Sequence, residues 1–367
     1  MKMLVAESMA GGALGLSTGL EYAPGCFTQT EELIELCSVA ARSGGVFATY
    51  MRDEDDGILQ AVDEARRIFQ ETPIRLQISH QKIGYAINWP KFDELMSKLE
   101  KAQKARTDFR RDRYPYIAWS TSLTASFPEW ASEGTTEDFI GRLRDPSLEA
   151  SLRSHLANKE RKLGSWDKVL ISSVAADKNR PPEDMNVLAA ATKVGKSPYD
   201  FMRDLLIEEM GRVSQITFGM SEDHLKVILA HPLIGVGSDG QALAPYGPLS
   251  TGKPQPRSYG IFPRVLGNYI HDEKLVPLEE MIRKITSMPA SHLGFVRRGM
   301  LKTFWAADVC VFDLARIIDK ATFPEPTLYP DGISRVIVNG EVVVDRGQHT
   351  GRLPGKVLRK NSYGAVV

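Results

Sequence analysis

Apolar positions recur along this chain with two spacings. Short runs dominated by apolar residues, GALGLST at 12–18, GGVFATY at 44–50, IRLQISH ending at His80 and RYPYIA at 113–118, have the length and composition of strands. Between them, apolar residues return at helical spacing through Glu31–Ala41, Asp56–Gln70 and Phe92–Ala105. A parallel neighbour is reached only through a crossover connection, so strands alternating with ten- to fifteen-residue helices predict parallel pairing.

The middle of the chain is less regular. It predicts helices near Thr136–Arg144, Ser147–Lys162, Met185–Lys193 and Tyr199–Met210, with strands at VLISSVA (169–175) and SQITFGM (214–220). A helix over Asp223–Ala230 leads into IGVGSDG at 234–240, an apolar run with a polar tip. The proline and glycine content of 244–260 excludes both strand and helix there. Helices at Leu278–Ser287 and Pro289–Leu293 follow, then short β runs at 307–313, 334–340 and 341–347. The last two meet at an Asn-Gly turn, which predicts a hairpin and a small antiparallel β portion at the C-terminus.

Composition narrows the function classes. The 46 basic and 46 acidic side chains cancel, which leaves no global field to gather nucleic acid or an anionic membrane surface. No apolar run of about 18 residues is present to span a bilayer, and the first residues lack the layout of a signal peptide, so the expected location is the cytoplasm. Cys26, Cys37 and Cys310 have no CxxC spacing and read as small buried hydrophobes rather than as disulfides or a zinc cage.

Three run ends carry polar groups: Tyr50 with Arg52 beyond it, His80 with Lys82 beyond it, and Asp239 within GSDG. In a parallel α/β barrel such ends converge on one face, where a His and an Asp suit a metal ligand and a general base. A single strand-end His is more often a hydrogen-bonded structural residue, and the other six histidines show neither HxH nor HExxH spacing. Taken singly, Lys82 reads as a snorkelling surface residue and Tyr114 and Tyr116 as core aromatics. Arg52, Asp53 and Glu54 fit a site lining or an ion-pair network at the rim equally well.

Taken in order, AGGALGLSTGLEYAPG, GGVFATYMRDE, QISHQK, RYPYIA, VGSDG, PRSYGIFPRVLG and the closing GISRVIVNGEVVVDRGQHTGRLPGKVLR resemble the N-acyl-D-amino-acid deacylases, or D-aminoacylases, of the amidohydrolase superfamily. The resemblance implies an α/β fold, a TIM-like (β/α) barrel with a small β-sandwich, in which zinc activates water against an N-acyl amide. Carried over residue by residue, His80 becomes a zinc ligand and Asp239 the catalytic base. Lys82, Tyr114 and Arg257 become the groups that hold the substrate carboxylate, by charge-assisted bonds from the cations and a neutral donor from the phenol. Arg264 is expected to be structural.

Two departures follow from the same comparison. The family's HxH pair and cysteine ligand have no counterpart here, and the chain starts beyond them, so the barrel is expected to be incomplete. Residues 1–300 are assigned to the partial barrel and 301–367 to the sandwich strands, with a homo-oligomer as one way to cover the open edges. Tyr50 stands where the family has a histidine ligand, and a phenol is a poor zinc ligand at neutral pH. Two function classes therefore stand side by side: deacylation of an N-acyl-D-amino acid by zinc-activated water, and a non-catalytic relative or fragment that retains a carboxylate-binding pocket.

Overall fold

The computed structural model describes all residues except Pro181, Thr251 and 362–364. Its first part alternates helix and strand: α1 (Lys2–Ala10), β1 (Gly15–Gly19), α2 (Thr30–Arg42), β2 (Val46–Tyr50), α3 (Ile58–Glu71), β3 (Arg75–Ile78), α4 (Phe92–Ala105) and β4 (Phe109–Arg113). The four strands pair in parallel and in sequence order, as the alternation predicts. α3 shows why: Ile58, Ala61, Val62, Ala65, Ile68 and Phe69 fall on one stripe and are all buried in a cluster with Phe47, Leu76, Ile78 and Phe109 of the sheet.

The fourth strand corrects the sequence reading. RYPYIA is the exit from β4 rather than a strand, because Pro115 ends the ladder and the paired residues are the charged FRRDR. Alternation still holds within it, since Phe109, Arg111 and Arg113 are buried. Arg111 is accommodated by neutral acceptors, Gln81 Oε1 at 2.8 Å and Gln103 Oε1 at 2.7 Å, and burial lowers its pKa to about 9.

After β4 the chain leaves the parallel sheet and builds a second unit: β5 (Ala118–Ser122), α5 (Thr136–Arg144), α6 (Glu149–Leu163), β6 (Val169–Val174), α7 (Val187–Lys193), α8 (Pro198–Glu208) and β7 (Val213–Phe218). Its strands form a separate antiparallel sheet in the order β5-β7-β6, with its own buried cluster around Leu123, Phe139, Leu156, Trp166 and Met202. β6 and β7 lie where the sequence predicts strands, whereas β5 was not predicted; the antiparallel pairing was not legible either, because a run such as VLISSV carries no sign of its partner's direction. The α5 start is fixed by a reciprocal bond pair between Thr135 and Asp138.

The chain then returns through α9 (Glu222–Ala230) to β8 (Ile234–Val236), which pairs in parallel with β4. The parallel sheet has five strands in the order β1-β2-β3-β4-β8, with β1 and β8 at its edges among the described residues. α10 (Arg257–Arg264) begins inside the stretch expected to be loop and runs on as a π-helical segment, Val265–Asp272. Two features correct that expectation: Pro256 stands immediately before the helix, where it does not disrupt it, and Ile261, Val265, Leu266, Tyr269 and Ile270 bury one face. α11 (Leu278–Ile285) and α12 (Ser287–Leu293) precede the antiparallel strands β9 (Val309–Phe312), β10 (Ile333–Val338), β11 (Glu341–Asp345) and β12 (Gln348–His349). The Asn-Gly hairpin joins β10 to β11 as expected. The C-terminal tail folds back to the start of the chain, where Lys360 N–H donates to Gly12 O at 3.0 Å.

Candidate functional site

The ends of β1, β2 and β3, the β4 exit and the tip after β8 open onto one cleft of about 1420 Å³, closed on its far side by the antiparallel unit. Tyr50, His80, Lys82, Tyr114, Asp239 and Arg257 all line it, so the structure brings together the residues that the family resemblance places at the site.

The local backbone explains how they are held. His80 and Asp239 both have positive φ, 38° and 44°, conformations a non-glycine residue rarely adopts and that sites often impose. His80 N–H donates to Asp112 Oδ1 at 2.8 Å, and Gln77 Nε2 donates to Asp112 Oδ2 at 2.6 Å. Burial of the Asp112 carboxyl raises its pKa. Gly237 sits against it, where a Cβ would come within 2.8 Å of Asp112 Oδ1. On the neighbouring loop, Asp53 accepts from the N–H groups of Asp55 at 2.7 Å and Gly57 at 2.9 Å. This turn carries Glu54 inward.

Glu54 lies at the centre of the site, 6% exposed. Its carboxylate pairs with Lys82 through Oε2 and lies 3.1 Å from His80 Nδ1 through Oε1. Lys82 Nζ is also 2.8 Å from the same His80 Nδ1. That nitrogen serves one of the two at a time, accepting from Lys82 when unprotonated or donating to Glu54 when protonated. Burial alone would raise the Glu54 pKa, but Lys82 and then His80 hold it down to about 2. Arg52, Asp53 and Glu54 all line the cleft, and ion pairs run through it: Glu54 pairs with Lys82, and Arg52 pairs with Glu64 and donates to Cys26 O and Thr28 O.

A second ion pair stands across the cleft. Arg257 is 2.7 Å from Asp239 Oδ2, and Tyr50 donates its phenol to Asp239 Oδ1 at 3.1 Å. Burial, with the nearby Asp239 charge, pushes the Tyr50 pKa to about 12, so the phenol stays protonated at neutral pH. The Tyr50 and His80 rings lie 4.1 Å apart. Tyr114 is 1% exposed and lies between the guanidinium groups of Arg113 and Arg257, at 4.2 and 4.8 Å from its ring. Its hydroxyl is buried without a hydrogen-bond partner, as is Gln255 Oε1 on the same cleft wall.

These residues do not by themselves make a metal site. Among the described residues no group of three or more His, Cys, Asp or Glu side chains is placed to hold an ion. His80 spends Nδ1 on either Glu54 or Lys82, both Asp239 oxygens are engaged, and the Tyr50 phenol is neutral. Sequence reasoning missed Asp112 and Glu21. The first was hidden in a strand that looked too charged to be one, and the second in a turn with no motif around it.

Parallel strands whose C-terminal ends gather His, Lys, Asp and Arg around one cleft give the chain an amidohydrolase-like α/β fold. The model of the amidohydrolase family matches residues 190–344. The chain is 34% identical over 362 residues to the D-aminoacylase of Alcaligenes xylosoxydans xylosoxydans, and 31% identical to the N-acyl-D-glutamate deacylase of the same organism. Each alignment covers 99% of this chain and 64% of the relative, so the chain spans just under two thirds of their length. The crystal structure of N-acyl-D-glutamate deacylase from Bordetella bronchiseptica, complexed with zinc and a phosphonate mimic of the tetrahedral intermediate, superposes with a TM-score of 0.78 at 31% identity, covering 98% of this chain and 65% of that one. Over nearly its whole length the chain is thus similar to D-aminoacylases and their relatives in the amidohydrolase superfamily.

Proposed function

We propose that this chain binds the carboxylate of an N-acyl-D-amino acid in its cleft, received by Arg257 and Tyr114, and that its own residues do not suffice for hydrolysis. The observation that carries the reading is the Tyr114 hydroxyl, a buried donor with no partner, beside the Arg257 guanidinium on the cleft wall. Buried polar groups are nearly always paired, and an unspent donor next to a cation is what an incoming carboxylate requires. Lys82 takes a different role from the one carried over by resemblance: it neutralises Glu54 and positions His80.

The second reading is the family's own activity, deacylation of N-acyl-D-amino acids with zinc-activated water, Asp239 as base and His80 as ligand. It is favoured by the contacts of His80, which run through Nδ1 and leave Nε2 for an ion, and it needs metal ligands beyond those this chain brings together. Zinc content, calorimetric binding of N-acetyl-D-methionine and release of free D-methionine, measured on one preparation with added zinc, separate the two. Binding lost in Arg257→Ala and weakened in Tyr114→Phe, without turnover, supports the first. Stoichiometric zinc, with turnover abolished by Asp239→Ala, supports the second and overturns the first.

A further inference from the structure

The cations lining the cleft are, with few exceptions, already neutralised. Lys82 pairs with Glu54, Arg257 with Asp239, Arg52 with Glu64, and Lys162 with Asp56 and, at 3.7 Å, with Asp55. Lys159 differs. It projects from α6 one turn before Lys162, lines the same cleft, and holds its ammonium by a single bond to the Ala125 carbonyl at 2.5 Å. No carboxylate lies within 4 Å of it among the described residues; Glu21, Asp55 and Glu129 act on it only from longer range. Burial depresses its pKa. An ammonium has three donors, and the carbonyl uses one.

We infer that Lys159 anchors a second anionic group of the ligand, so that the cleft selects N-acyl amino acids with an acidic side chain over their neutral isosteres. The inference rests on the proposed carboxylate pocket, since Arg257 and Tyr114 must take the first carboxylate for Lys159 to meet a second. Ser120, Ser122 and Thr124, in β5 and just beyond it, also line the cleft. Glu21, in the same cleft, has its pKa raised to about 7 by burial and then by Glu54, and so opposes an added anion less than an ordinary carboxylate would.

The test is calorimetric binding of N-acetyl-D-glutamate and N-acetyl-D-glutamine, near-isosteric ligands that differ in one charge, to the full 367-residue chain and to its Lys159→Met and Lys159→Arg variants. The expected result is a preference for the glutamate ligand on the order of tenfold, which a hydrogen bond to a charged group can supply. Lys159→Met should abolish the preference while leaving glutamine binding within about twofold, and Lys159→Arg should retain it. Loss of both ligands in Lys159→Met, or no preference in the parent chain, overturns the inference while the carboxylate pocket stands. If neither ligand binds the parent chain, the pocket reading fails and this inference falls with it. The Arg variant guards against misfolding, because a charge-retaining change that also loses the preference shows the effect is not one of charge.

Discussion

Lys82→Met tests whether the buried Glu54 carboxylate is held by its ion pair. In the parent chain the Glu54 pKa falls from an ordinary 4.5 to about 2, and a shift of one unit corresponds to about 1.4 kcal/mol. The folded state therefore gains about 3 kcal/mol from ionised Glu54 at neutral pH. Because the folded pKa is the lower one, this stability is fully present above pH 4.5 and disappears as pH falls towards 2. Removing Lys82 leaves a carboxylate that is 6% exposed facing only His80, and breaking one side of a buried pair costs about 3–5 kcal/mol. Replacing both partners, Lys82→Met with Glu54→Leu, should recover most of that loss, since an apolar pair of similar volume is often neutral. The assay is urea unfolding followed by tryptophan fluorescence at pH 7 and pH 4. Lys82→Met should lower stability by at least about 2 kcal/mol at pH 7, and the double variant should lie closer to the parent than either single change. A Lys82→Met protein within about 0.5 kcal/mol of the parent, or losses that simply add in the double variant, would refute the argument.

Glu21 works in the opposite direction: its folded pKa of about 7 exceeds the ordinary 4.5, so stability should decline as pH rises from 4.5 to 7, and Glu21→Gln should flatten that decline by about 2 kcal/mol in pH-dependent urea melts. Gly15 has no room for a side chain, since a Cβ would meet the Val46 backbone oxygen at 1.9 Å; Gly15→Ala should cost about 2–3 kcal/mol and lower the melting temperature, and an unchanged melt would show that β1 does not hold this register. The Tyr50 phenol should ionise near pH 12, so the parent-minus-Tyr50→Phe difference in phenolate absorbance should stay near zero at about pH 10.5, half a unit above the ordinary tyrosine value. About three quarters of a tyrosine equivalent at that pH, the value for an ordinary phenol, would mean the bond to Asp239 is not made.

The parallel part of the fold was legible because its signals are local and mutually consistent. α3 and α4 carry their stripe in sequence, and the runs GGVFATY and IRLQISH end at groups that reach the cleft. In the antiparallel unit β6, β7 and the helices were legible but β5 was not, nor was the pairing, which depends on partners about 40 to 100 residues away. At the site, sequence supplied Tyr50, His80, Lys82, Tyr114, Asp239 and Arg257, because each sits near a strand end or in a recognisable motif. Their mutual engagement was not legible. That Lys82 is spent on Glu54, and Asp239 on Arg257 and Tyr50, depends on distances across the cleft between residues up to 189 positions apart.

That engagement sets how a ligand must enter. Arg257 and Asp239 form an internal pair, 9% and 22% exposed at their side chains, so a ligand carboxylate that reaches Arg257 competes with Asp239 for the same guanidinium. In the carboxylate-binding reading Asp239 acts as a placeholder, and binding exchanges one anion for another. Asp239→Asn removes the competitor and leaves a neutral amide that can still accept from Tyr50 through its carbonyl oxygen. The variant should bind N-acetyl-D-methionine more tightly, by on the order of fivefold, since a partly exposed pair contributes about 1 kcal/mol. Arg257→Ala should abolish binding in the same calorimetric titration. A catalytic role for Asp239 makes a different claim: Asp239→Asn should then lose turnover with little change in affinity. Weaker binding in Asp239→Asn would mean that Asp239 preorganises Arg257 rather than competing for it, and the exchange would be ruled out.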